Sequence, residues 1–91
     1  MTSNKNQVLD LIEKKQIVLF CKNDDEKSDE IEFYADVIDV AQNGDRESRE
    51  GFVNYVCAGM AWNFGQPNDE SRIAYAVQKQ GYALYLQFLK I

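Results

Sequence analysis

The sequence predicts an α+β domain: an antiparallel sheet of about four strands with two helices on one face, in the order αββαββ. Three observations predict it. Strict polar/apolar alternation begins at Glu30, a broad apolar stripe at helical spacing runs from Arg46 to Phe64, and the last third, RIAYAVQKQGYALYLQFLK, is rich in strand-favouring Ile, Val, Tyr, Leu and Phe. At 91 residues with 45% apolar content the chain, residues 1–91, has material for one core and one domain.

The N-terminal stretch reads as a helix from Ser3 to Lys15, with Asn4 as its cap and Val8, Leu11 and Ile12 along one face. Ile17 to Lys22, IVLFCK, is short, β-branched and aromatic-containing, and reads as a buried strand. Asn23 to Asp29 has the composition of a polar connection. From Glu30 onward Ile31, Phe33, Ala35 and Val37 fall on one side of a strand, with Glu30, Glu32, Tyr34 and Asp36 on the other. The phase slips at Val37 to Asp39, where a bulge or the strand end is expected.

Asn43 to Asp45, NGD, signals a turn, and Asp45 can cap the following helix. That helix, Arg46 to Phe64, carries Val53, Val56, Cys57, Met60, Ala61 and Phe64 as a core stripe. Gly65 and Pro67 stop it. The rest reads as a hairpin, Arg72 to Gln78 and Tyr82 to Lys90, turning at Lys79 to Gly81. The runner-up order, αββααβ, makes Asp69 to Gln80 a helix closed by Gly81.

Charge is unevenly placed. Residues 1–22 carry four lysines against Asp10 and Glu13, +2, and residues 51–91 carry +1. Residues 23–50 hold eleven acids against three basic residues, −8, which exceeds the net −5 of the whole chain. Such a segment repels nucleic acid and anionic membranes and steers a basic protein toward itself. The candidate partner contacts are Asp24, Asp25, Glu26, Asp29, Glu30, Glu32 and Asp36.

Several chemistries are excluded or left without support. With no histidine, the usual general base and the commonest transition-metal ligand are missing. An EF-hand count from Asp24 puts Asp29 where a glycine belongs and Ala35 where a bidentate Glu belongs. Two cysteines, Cys21 and Cys57, do not make a structural zinc site and are expected as small buried hydrophobes of a reducing cytoplasm. Nothing sets Asp36 with Asp39, or Glu47 with Glu50, in an apolar cleft as an acid–base pair. No catalytic residues, cofactor or metal are therefore predicted. The N-terminus, MTSNKNQ, lacks a basic and apolar leader pattern, and no stretch suits a membrane span, so a cytoplasmic location is expected.

A second feature is the aromatic face of the Arg46 to Phe64 helix, where Phe52, Tyr55, Gly59 and Trp62 recur at i, i+3, i+7 and i+10 with no charge from Gly51 to Asn68. Either the N-terminal helix covers it through Val8, Leu11 and Ile12, or it is a self-association surface built on Phe52, Tyr55 and Trp62. In size, acidity and lack of catalytic residues the chain is similar to bacterial immunity proteins and to phage anti-restriction and anti-CRISPR proteins. That similarity implies a small inhibitor that masks a basic, nucleic-acid-handling protein through an acidic surface, without touching nucleic acid itself. The alternative is a structural or adaptor module that forms a homodimer through the aromatic face.

Overall fold

The computed structural model describes residues 4–90 and is a helical bundle: α1 (Asn4–Glu13), α2 (Asp24–Asn43), α3 (Arg46–Phe64) and α4 (Asp69–Phe88). Among the described residues there is no strand, so the predicted α+β sheet is replaced by four helices. Helix α1 packs on α2, α2 packs on α4 and more lightly on α3, and α3 packs chiefly on α4. The α2–α4 pair therefore forms the spine.

Each long helix starts on an Asx cap. Asn23, Asp45 and Asn68 accept the backbone N–H of Glu26, Ser48 and Ser71 through side-chain oxygens, each at 2.8 Å, which satisfies donors that the first helical turn leaves free. Helix α1 ends differently. Lys15 adopts a left-handed φ of 61°, and the N–H groups of Lys15 and Gln16 return to the carbonyls of Ile12 and Leu11. This is the Schellman pattern, with a lysine where glycine is usual.

The predicted strand that starts at Glu30 is helical, and its inward groups are partly polar. In α2 the buried positions are Glu30, Tyr34, Val37, Ile38 and Ala41, a spacing of i, i+4, i+7, i+8 and i+11, with Ala35 beside them. Reading Glu30 and Tyr34 as solvent-facing turned this helical stripe into an alternation. The predicted strand slip at Val37 to Asp39 is simply the next turn of that helix.

The predicted strand Ile17 to Lys22 is a segment outside any helix and without a strand partner. Its backbone is held by helix side chains. Val18 pairs with the amide of Gln80, donating to Oε1 at 3.1 Å and accepting from Nε2 at 2.7 Å. The N–H groups of Phe20 and Cys21 donate to the Glu30 carboxylate at 3.0–3.1 Å. Those four contacts supply what a neighbouring strand would have supplied.

The last third is one helix, and neither the hairpin nor a helix closed at Gly81 is formed. Gly81 is buried in the middle of α4 because the Phe33 ring of α2 lies where a Cβ would be: Phe33 Cζ would stand 2.9 Å from it. The glycine is thus a close-approach residue, not a turn.

Helix α3 is docked through a different side than its pattern suggests. Of the predicted stripe only Val56 is fully buried, Val53 and Met60 are half-buried, and Cys57, Ala61 and Phe64 are exposed. The docked side is Phe52, Val56, Gly59 and Asn63. Phe52 meets Tyr85 and Phe33 with ring centroids at 4.9 and 6.5 Å, Gly59 admits the Gln78 side chain, and Asn63 donates to Gln78. A helix without charges along most of its length offers no polar face to fix its phase.

At the other end of the bundle the C-terminus of α2 is closed by three donors. Gly44 N–H returns to Val40, Arg49 reaches the carbonyls of Val40 and Ala41, and Lys90 N–H also reaches Ala41. The guanidinium is well placed there, since a helix C-terminus carries partial negative charge.

Candidate functional site

The acidic residues of α2 divide into two sets. Glu30 is 3% exposed and turned inward, where its carboxylate accepts from Phe20, Cys21 and the Tyr34 hydroxyl, the last at 2.8 Å. Tyr34 in turn accepts from Gln80 Nε2 at 2.8 Å. A buried carboxylate with four such contacts is a structural staple and is not available to a partner. Burial, and then the hydrogen bond to Glu30, hold the Tyr34 phenol well above its ordinary range. The same two causes push the Cys21 thiol up to about 11.

The second set faces water. Asp25, Asp29, Glu32, Asp36 and Asp39 are exposed and spaced i, i+4, i+7, i+11 and i+14, so they share one face of α2. At the rise of an α-helix that stripe runs about 21 Å. The predicted row of carboxylates is therefore not on a strand, yet much of it is preserved as a helical stripe. Asp29, Glu32 and Asp36 belong to it, while Asp24 and Glu26 flank its start and Glu30 is removed to the core. Asp39 is a member that strand phasing assigned to the opposite side. Two members have local partners: Glu32 pairs with Lys5 at 3.3 Å, and Asp39 accepts from Asn43 at 3.0 Å.

Asp24, Asp25 and Glu26 occupy the first turn of α2, where the N-terminal partial charge favours carboxylates. Beside that turn a cleft of about 450 Å³ opens between α2 and α4, with Tyr55 of α3 at its side. Half-buried Phe33, Ile73, Ala74 and Val77 line it, and the exposed carboxylates of Glu26, Asp29 and Glu70 surround it. Sequence reasoning missed Glu70, because α4's start and α2's start are distant in the chain.

The aromatic face of α3 also separates. Phe52 is packed inside against Tyr85, whereas Tyr55 and Trp62 are 63% and 70% exposed and Phe64, beyond them, is 76% exposed. Helix α1 does not cover them, since it packs on α2. Cys57 is exposed on α3 rather than in the core, and Cys21 is half-buried at the cleft; both are free thiols.

Among the described residues no group of three or more Cys, Asp or Glu side chains is placed to hold a metal ion, and no helix is long and apolar enough to cross a membrane. Compared with known proteins, the chain matches no family model, no curated sequence and no solved structure.

Proposed function

We propose that the chain is a non-catalytic binding protein of the immunity, anti-restriction or anti-CRISPR type, which masks a basic, nucleic-acid-handling protein with the outward face of α2. The observation that carries this reading is the alignment of Asp25, Asp29, Glu32, Asp36 and Asp39 on one exposed helix face. Like charges at i, i+3 and i+4 destabilise a helix by about 0.2–0.5 kcal/mol per pair, and the stripe places four such pairs in series. Scattered acids would keep the protein soluble without that cost. A regular line of carboxylates instead offers acceptors to the lysines and arginines with which a partner grips a phosphate backbone.

The test is affinity capture from the source cells with the wild-type chain and with Glu32→Lys/Asp36→Lys. A partner retained by the wild type, lost by the charge reversal and released by added salt supports the reading. A complex that ignores both salt and charge reversal overturns it.

A second reading rests on α3. Tyr55 and Trp62, seven residues apart on one side of α3, are exposed on a helix with no charge from Gly51 to Asn68, a surface on which a second copy of an acidic protein meets no repulsion. Native mass spectrometry decides it. A dimer that Trp62→Ala dissolves supports self-association; a monomer at micromolar concentration removes it.

A further inference from the structure

We propose that the cleft at the start of the α2 stripe is a subsite for one arginine side chain of the basic partner. This rests on the reading of the partner as basic and adds where a single side chain is read. The cleft combines two properties that an arginine needs together. Its walls, Phe33, Ile73, Ala74 and Val77, are apolar, and its exposed rim carries Glu26, Asp29 and Glu70 with no basic residue lining it.

An arginine stem buries its methylenes against such walls while the head group stays at the rim. The head group is also matched. A guanidinium stacks on aromatic faces and pairs with carboxylates through a planar fork, and Phe33 and Tyr55 both border the cleft. A lysine ammonium is compact and strongly hydrated, and gains less from apolar walls and rings. Volume agrees as well: about 450 Å³ holds the side chain together with part of the backbone that presents it. Glu30 contributes negative potential from below but no ligand oxygen, because Phe20, Cys21 and Tyr34 already occupy its carboxylate.

The test uses the intact chain and small probes. Nα-acetylargininamide is titrated into ¹⁵N-labelled protein beside the citrulline amide, which has the same shape without charge, and the lysine amide. Saturable shifts at Cys21, Tyr55, Ala74 and Val77 are expected with arginine, with citrulline and lysine at least about fivefold weaker. Glu26→Gln/Glu70→Gln is expected to weaken the arginine response about fivefold, the scale of losing exposed ion pairs, while Glu47→Gln, exposed at the start of α3 and outside the cleft, leaves it unchanged. If the double variant fails to fold, Glu70→Gln alone and the three probes on the wild type decide.

Equal responses to the three probes, shifts centred elsewhere, or indifference to the rim substitutions overturn the subsite. The two readings fail separately. A partner captured through Glu32 and Asp36 with no arginine response sinks the subsite alone. An arginine response in a chain that captures no basic partner sinks the functional reading and leaves the cleft chemistry standing.

Discussion

The buried Glu30 carboxylate accepts from the backbone of Phe20 and Cys21 and from the Tyr34 hydroxyl. A glutamate in an alternating stretch is assigned to solvent because an unpaired buried carboxylate is prohibitive, and the pairing that changes this comes from the backbone of the Ile17 to Lys22 segment and a tyrosine one turn away. Glu30→Gln replaces one acceptor oxygen with an NH2 group facing donors, so we expect a loss of about 1–3 kcal/mol in urea denaturation. Tyr34→Phe should cost about 1 kcal/mol by the same measurement, since one of the carboxylate's partners and the Gln80 acceptor disappear together. A Glu30→Gln midpoint matching the wild type would contradict the staple. The same cluster sets an alkaline limit. Folding raises the Cys21 thiol from 9.0 to about 11 and moves the Tyr34 phenol in the same direction. The native state therefore holds these protons after the unfolded chain has released them, and the stability the Cys21 thiol contributes is complete below pH 9.0 and lost as pH rises through about 11. Urea midpoints should fall from pH 9.0 to about pH 11, and fall less steeply in Cys21→Ser. An identical slope in the two proteins would rule the thiol out.

Among elements, the Asp45 cap and helix α3 were legible, whereas the caps Asn23 and Asn68 and the helix phases were not. Asp45, the α3 boundaries and the stop at Gly65 follow from local chemistry, which needs only neighbours in the chain. The phase of a helix depends on what it packs against. In α2 the inward stripe contained Glu30 and Tyr34, and in α3 every face was apolar, so polarity pointed the wrong way in one and nowhere in the other. Gly81 failed for a related reason, because its meaning lies in the Phe33 ring of another helix. That gives a paired prediction. Alanine in place of an interior helical glycine ordinarily gains about 0.5–1 kcal/mol. Gly51→Ala, on an exposed position of α3 with nothing near its Cβ, should show that gain in thermal or urea unfolding. Gly81→Ala should instead lose about 1–3 kcal/mol, because a ring packed between helices has no room to yield. Stabilisation at Gly81 would show that Phe33 relocates freely, and the account of α4 as a close-approach helix would fall.

For the whole molecule, charge was legible because it is additive along the chain: the −8 segment became α2 and the first turn of α3. Topology was not, because the contacts that decide it are distant. Val18 and Gln80 are 62 residues apart, and their amide pairing holds the Ile17 to Lys22 segment to the bundle without making it a strand. Burial is just as uneven. Helix α2 supplies more buried side chains than any other element, with others from α1, Ile17 and α4, while α3 contributes Val56 alone. Amide hydrogen exchange should follow that distribution. Protection in α2 from Tyr34 to Ala41, and in α4 around Leu84 and Tyr85, should approach the global unfolding free energy, and α3 should exchange through smaller openings. The amides of Val18, Phe20 and Cys21 lie outside any helix, yet each donates to a helix side chain, so they should be protected like helix interiors. Glu30→Gln should then speed exchange selectively at Phe20 and Cys21 and leave Val18, held by Gln80, closer to wild type. Fast exchange at all three amides in the wild type would mean that the Ile17 to Lys22 segment is not clamped to the bundle, and that the core is built by the helices alone.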